Sequence, residues 1–147
     1  MIEVYTDSYF MKQALQEAEK AAEKEEVPVG AVIVCGGRII ARAHNATEQL
    51  TDVTAHAEMM AITAASEALG GKFLDQCSIY VTLEPCPMCA GALQWARIGK
   101  LVYGAADEKR GYVQYDPHLL HPTTEVAYGL EQKACAQLLK DFFRARR

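Results

Sequence analysis

Apolar positions along this chain change period several times, and each change predicts a boundary. From about Ser8 to Glu25, Phe10, Ala14, Ala18 and Ala21 recur on one helical face, with Ser8 as N-cap and Pro28 as stop. Val29–Val34 is an unbroken apolar run, which predicts a short strand covered on both faces. Gly36-Gly37 then predicts a hairpin turn, and Arg38–Arg42 a strand returning beside the first. The polar segment Asn45–Thr54 reads as a loop. Helical spacing resumes near Ala55, runs through Met60, Ala61, Ala64, Ala65 and Ala68, and ends at Gly70-Gly71.

In the second half, Ser78–Leu83 alternates, with Ile79, Val81 and Leu83 predicted on one face. A helix from about Cys86 to Arg97 and a strand over Lys100–Tyr103 follow. Ala106–Pro122 reads as a long irregular loop, of the kind that often carries function. Leu130, Ala134, Leu138 and Phe142 recur every fourth residue and predict a final amphipathic helix. Helices alternating with strands predict an α/β fold, a three-layer α/β/α arrangement around a central mixed sheet. With no repeat or low-complexity linker, residues 1–147 are expected to form a single domain.

Two short motifs fall where a loop or strand meets a predicted helix start. The first is His56-Ala57-Glu58; the second, Pro85-Cys86-Pro87-Met88-Cys89, places a cysteine thirty residues after His56. Free N–H groups and the helix dipole there favour thiolate over thiol. Cys86 and Cys89, three apart, share a helix face, and Pro85 and Pro87 suit a helix start. Cys-Pro-Met-Cys alone fits a redox dithiol or a pair of inert buried thiols as well as a metal site. The His-x-Glu motif changes that balance, because a redox pair has no use for it. His56, Cys86 and Cys89 provide three zinc ligands, which leaves the fourth position of a catalytic site open for water. Zinc lowers the pKa of such a water towards neutrality, and Glu58 is left over to carry its proton.

Composition limits the setting. The chain has 147 residues, half of them hydrophobic, enough for a real core. No apolar run approaches membrane-spanning length, and Met1-Ile2-Glu3-Val4 lacks a signal pattern. The five cysteines are an odd number, which argues against a disulfide framework and for the cytoplasm. Cys35, Cys77 and Cys135 are expected to be small buried hydrophobes. The net charge of −4 hides an asymmetry: residues 1–96 carry 6 basic and 13 acidic side chains, residues 97–147 carry 9 and 6. Three arginines in the last four positions fit either a small nucleic-acid footprint or an ordinary solvated helix end.

His-x-Glu with Pro-Cys-x-x-Cys is the signature of zinc-dependent base deaminases. Over nearly its whole length the chain also resembles the bacterial tRNA adenosine deaminase family, which converts wobble adenosine to inosine. The resemblance is carried by Glu26-Val27-Pro28-Val29-Gly30-Ala31, Asn45, Thr54–Glu58, Val81–Cys86, Met88–Ala92 and Phe142-Phe143-Arg144. It implies a cytidine-deaminase-like fold, one zinc ion per subunit on His56, Cys86 and Cys89, and Glu58 as proton shuttle. It further implies that Asn45 hydrogen-bonds the flipped nucleotide and that Val27 and Pro28 wall the base. Asp107 would lie against the nucleotide backbone, with Phe143 and Arg144 facing flanking nucleotides of a tRNA anticodon stem-loop. The family works as a homodimer. In this chain the stretch after Gly111 runs Tyr-Val-Gln-Tyr-Asp-Pro-His where the best-known members carry small residues. Two alternatives stay open: a deaminase of a free base or nucleoside with the same zinc chemistry, and a zinc-binding scaffold without catalysis.

Overall fold

The computed structural model describes residues 5–146; Met1–Val4 and Arg147 lie outside them. Five strands form one mixed sheet: β1 (Gly30–Cys35), β2 (Arg38–His44), β3 (Cys77–Leu83), β4 (Lys100–Ala105) and β5 (Glu125–Tyr128). Their order is β2-β1-β3-β4-β5, with β1 antiparallel to both neighbours and β3, β4 and β5 parallel. Helices α1 (Asp7–Glu23) and α5 (Gln132–Arg144) cover one face. Helices α2 (Ala57–Leu69) and α3 (Pro87–Ala96) cover the other, and α4 (Tyr112–Tyr115) is a single turn packed on α3. The expected three layers are present.

Alternation along the strands sorts the core. Ala31, Ile33, Ile79, Val81, Leu101 and Tyr103 pack towards α2 and α3, while Val32, Val34, Tyr80 and Val102 pack towards α1 and α5. The central strands therefore read as unbroken apolar runs, because neither face meets water. Leu83 departs from the predicted face: at the end of β3 it packs with the α1–α5 cluster. Cys77 and Cys135 are buried as expected, whereas Cys35 is half-buried beside the hairpin turn. That turn has Gly36 and Gly37 at φ 61° and 76°, the left-handed pair that a two-residue hairpin requires.

Helix α1 shows why its stripe is alanine. A Cβ on Gly30 would stand 2.1 Å from the Ala14 carbonyl oxygen and 2.4 Å from the Ala18 nitrogen, so helix and strand backbones nearly touch. The cap of α1 is Thr6, whose hydroxyl accepts from the Tyr9 N–H at 3.2 Å, not Ser8, whose hydroxyl donates to Glu131 at 3.1 Å. Pro28 is not what stops the helix either. Glu25 turns left-handed at φ 62°, and the Glu26 and Glu25 N–H groups bond back to the Ala21 and Ala22 carbonyls. That pattern is a Schellman turn. Two elements in the second half escape the hydrophobic pattern, α4 and β5. All four β5 residues are exposed on an edge strand, so they leave no apolar signature.

The mixed sheet brings five connections to one edge. The chain leaves β2, β3, β4 and β5 there, and enters antiparallel β1 there through Val27–Val29. The crevice outside the carboxyl ends of parallel strands is where α/β sheets bind ligands.

Candidate active site

His56 is the N-cap residue of α2 and Cys86 the N-cap residue of α3, and neither side chain caps its own helix. Each keeps the extended backbone of a cap, at φ/ψ of −72°/153° and −71°/169°, while its carbonyl accepts the first helical bond from Met60 or Ala90. Serine, threonine, aspartate or asparagine would cap better, by about 1 kcal/mol. The freed side chains instead turn towards each other. Pro87 at N1 gives up an N–H that had no partner, and Cys89 follows at N3, fully buried.

The three ligand atoms lie within 4.8 Å of one another. His56 Nδ1 stands 3.6 Å from Cys86 Sγ and 3.4 Å from Cys89 Sγ. Tetrahedral zinc with ordinary Zn–S and Zn–N bonds separates such atoms by about 3.6 Å. One imidazole and two thiols at that spacing could hold zinc.

Charge within the cluster is uneven. Hydrogen bonding from Cys89, then from His56, pulls the Cys86 thiol down to about 4 against the opposing effect of burial. The Cys89 thiol is driven far up, first by its bond to Cys86 and then by burial. His56 is raised, chiefly by its bond to Cys86. Glu58, the second residue of α2, is buried, and burial is the main reason its carboxyl is pushed up to about 7. A carboxyl poised there both accepts and gives up protons near neutrality.

Above the cluster opens a cavity of about 720 Å³, within the range of small-ligand sites. Val27, Asn45, His56, Glu58, Cys86, Asp107 and Phe143 line it, so most of the residues expected from sequence converge. Pro28 is buried behind the wall and does not line the cavity. Arg144 lies outside it, exposed, with Asp141 at 3.8 Å. Asn45 is buried with its N–H on the Val29 carbonyl at 3.0 Å. Among the described residues its side chain has no hydrogen-bond partner, so it is not spent on a turn. Asp107 does serve a turn: its Oδ1 accepts from the Lys109 and Arg110 N–H groups at 3.1 and 3.0 Å. Phe142 is buried under Arg146, whose guanidinium carbon stands 3.5 Å from the ring centroid, while Phe143 is half-exposed at the cavity mouth.

Two buried carboxylates beside the cavity, both within motifs that carry the resemblance, had no role assigned from the sequence. Glu26, 1% exposed, accepts from the Glu48 and Gln49 N–H groups at 3.0 and 2.6 Å, and so ties down the loop after Asn45. Glu84, 6% exposed, does the same for the opposite wall. An acid hidden this way looks like any surface acid in a one-dimensional pattern. The signals available for Glu84 were its place in the Val81–Cys86 motif and its position between an apolar strand and Pro85-Cys86.

A mixed sheet bearing a His-Cys-Cys cluster and a buried carboxylate beside a cavity defines a base deaminase of the cytidine-deaminase-like class. The family model for MafB19-like deaminases matches residues 5–147. The tRNA-specific adenosine deaminase of Agrobacterium fabrum is 48% identical over 145 residues, covering 95% of each chain. A solved tRNA:A34 deaminase superposes with a TM-score of 0.84 at 48% identity, over 90% of this chain and 99% of its own. The guanine deaminase of Nitrosomonas europaea shares the fold, with a TM-score of 0.85 at 24% identity over 95% of this chain and 86% of its own. The chain belongs to the tRNA-specific adenosine deaminase family.

Proposed function

We propose that this protein hydrolyses adenosine to inosine at the wobble position of a tRNA anticodon loop, releasing ammonia. The observation that carries the reading is Glu58, buried beside the three ligand atoms on the cavity floor, in a chain of this family. His56, Cys86 and Cys89 would hold one zinc ion per subunit. When bound, zinc supplies a water whose pKa is lowered towards neutrality.

Glu58 takes the proton of the attacking water as its oxygen bonds to C6 of adenine, and delivers that proton to ring N1. The C6–N bond then breaks as Glu58 passes the proton of the new C6 hydroxyl to the departing amine, leaving the C6 carbonyl of inosine and ammonia. Asn45, with its amide free, holds the flipped nucleotide, and Val27 with the buried Pro28 behind it shapes the base wall. An anticodon loop presents its bases unpaired, so flipping one out is inexpensive. Phe143 offers a stacking face to a neighbouring base, and Arg144 a charge to the backbone.

The working unit in this reading is a homodimer. Trp95, 81% exposed, and Met88 lie seven residues apart on α3, an apolar face of the kind that partners cover. Light scattering at micromolar concentration should give twice the chain mass, and Trp95→Glu should halve it. No helix among the described residues is long and apolar enough to cross a membrane, and five free thiols suit the cytoplasm.

The direct test is ammonia release by the zinc-loaded protein from stem-loop RNA with wobble adenosine, against free adenine, adenosine, guanine and cytosine. Turnover confined to the RNA supports the reading. Turnover of a free base with the RNA silent would make this a metabolic deaminase and remove the roles given to Asp107, Phe143 and Arg144.

A further inference from the structure

One wall of the cavity is the turn Ala106–Arg110, and nothing in its own sequence fixes its distance from the cluster. Glu84 does. Its two carboxylate oxygens accept separately, Oε1 from the Asp107 N–H at 3.0 Å and Oε2 from the Val113 N–H at 3.1 Å. Its own N–H donates to the Ala105 carbonyl at 2.8 Å, and the next residue's carbonyl, on Pro85, accepts from the Tyr112 N–H at 2.9 Å. Among the described residues no Lys, Arg or His is paired with this carboxylate; backbone N–H groups alone satisfy it.

Gly111 closes the arrangement. A Cβ there would stand 2.1 Å from Glu84 Oε2 and 2.5 Å from the Asp107 carbonyl oxygen. Glycine at this position is thus a matter of space, and the space is filled by Glu84. The chain segment that ends in Cys86 and the turn that begins at Asp107 are two rims of one rigid piece.

We propose that Glu84 is a positioning residue for substrate: it clamps the Asp107–Val113 segment at a fixed distance from the Cys86 corner, and thereby sets how RNA sits over the cavity. Its substrate arm rests on the tRNA reading above. Glutamine replaces one of the two accepting oxygens with an NH2 group, a donor that would face an N–H, so it cannot accept from both amides where they stand. Glu84→Gln should therefore release one anchor while leaving the His-Cys-Cys cluster in place.

The test uses the zinc-loaded protein with anticodon stem-loop RNA, and amide exchange read by NMR. In Glu84→Gln the bound zinc should stay at the wild-type ratio. KM should rise about tenfold or more with kcat held within about twofold. Exchange at the Asp107 or Val113 amide should quicken at least about tenfold, while amides of α3 keep their rates. Gly111→Ala, which displaces the same contact from the loop side, should reproduce the KM rise, and the double variant should add little to either. If Glu84→Gln does not fold, Gly111→Ala alone decides the matter. Zinc loss, a fall in kcat at constant KM, or unchanged exchange at both amides would overturn the proposal. Wild-type protein silent on the RNA would sink the tRNA reading, yet leave the exchange result to judge the clamp.

Discussion

At the floor of the cavity, His56, Glu58 and Cys86, with Cys89 buried beside them, sit at the starts of two helices packed on the sheet. At its mouth Phe143 is half-exposed on α5, and Arg144, the next residue, is exposed outside the cavity. The floor residues are constrained by backbone position, by burial and by each other. The mouth residues are constrained by little beyond the helix that carries them. Chemistry that must be exact within tenths of an ångström belongs on the first kind of support, and recognition of a long flexible polymer tolerates the second.

Substitutions can break that contrast at either end. Glu58→Ala should retain its metal and lose about a thousandfold or more in kcat, measured as ammonia release at saturating RNA. Wild-type turnover in that variant would remove Glu58 from the proton transfers. Asn45→Ala comes next, because its amide has no other partner; kcat/KM on the RNA should fall by about ten- to a hundredfold, with Tm nearly unchanged. A large drop in Tm with intact kcat/KM would return Asn45 to a structural role. Phe143→Ala should raise KM by about tenfold, the worth of one stacked base, with kcat unaffected. Phe142→Ala should act through stability instead, lowering Tm, and equal behaviour of the two phenylalanines would erase the distinction drawn between them. Arg144→Ala has the smallest expected effect, about twofold in KM at moderate salt. Its signature is the slope of log K against log salt, which should lose roughly one phosphate's worth.

How far the chain could be read in advance follows the same division. The helices and strands that face the core on a fixed period were legible, because burial writes that period into the residues: Phe10, Ala14 and Ala18 on α1, Ile79 and Val81 on β3. β5 was not, since an exposed edge strand has no face to hide. Ser8 was read as the cap of α1 where Thr6 is the cap, and the difference lies in where the backbone bends, which side-chain chemistry does not record. The cluster on His56, Cys86 and Cys89 was legible as ligand chemistry at helix starts. Glu26 and Glu84 were not, because what makes them unusual is the set of N–H groups they meet, contributed by residues more than twenty positions away. Cavity membership divides likewise: Asn45 and Asp107 line it as expected, while Pro28 supports from behind and Arg144 stays outside.

The antiparallel β1 in an otherwise parallel sheet has a consequence for how such an enzyme diversifies. Because β1 enters and β2, β3 and β4 leave at the same edge, the cavity is framed by four loops rooted in a common base and tied in pairs by Glu26 and Glu84. Lengthening one of them outside those ties costs only the slow logarithmic entropy of a longer closure and disturbs no strand pairing. New specificities can thus be tried one loop at a time over unaltered catalytic machinery, which makes the topology itself a reason for related folds to serve polymers in one lineage and single bases in another.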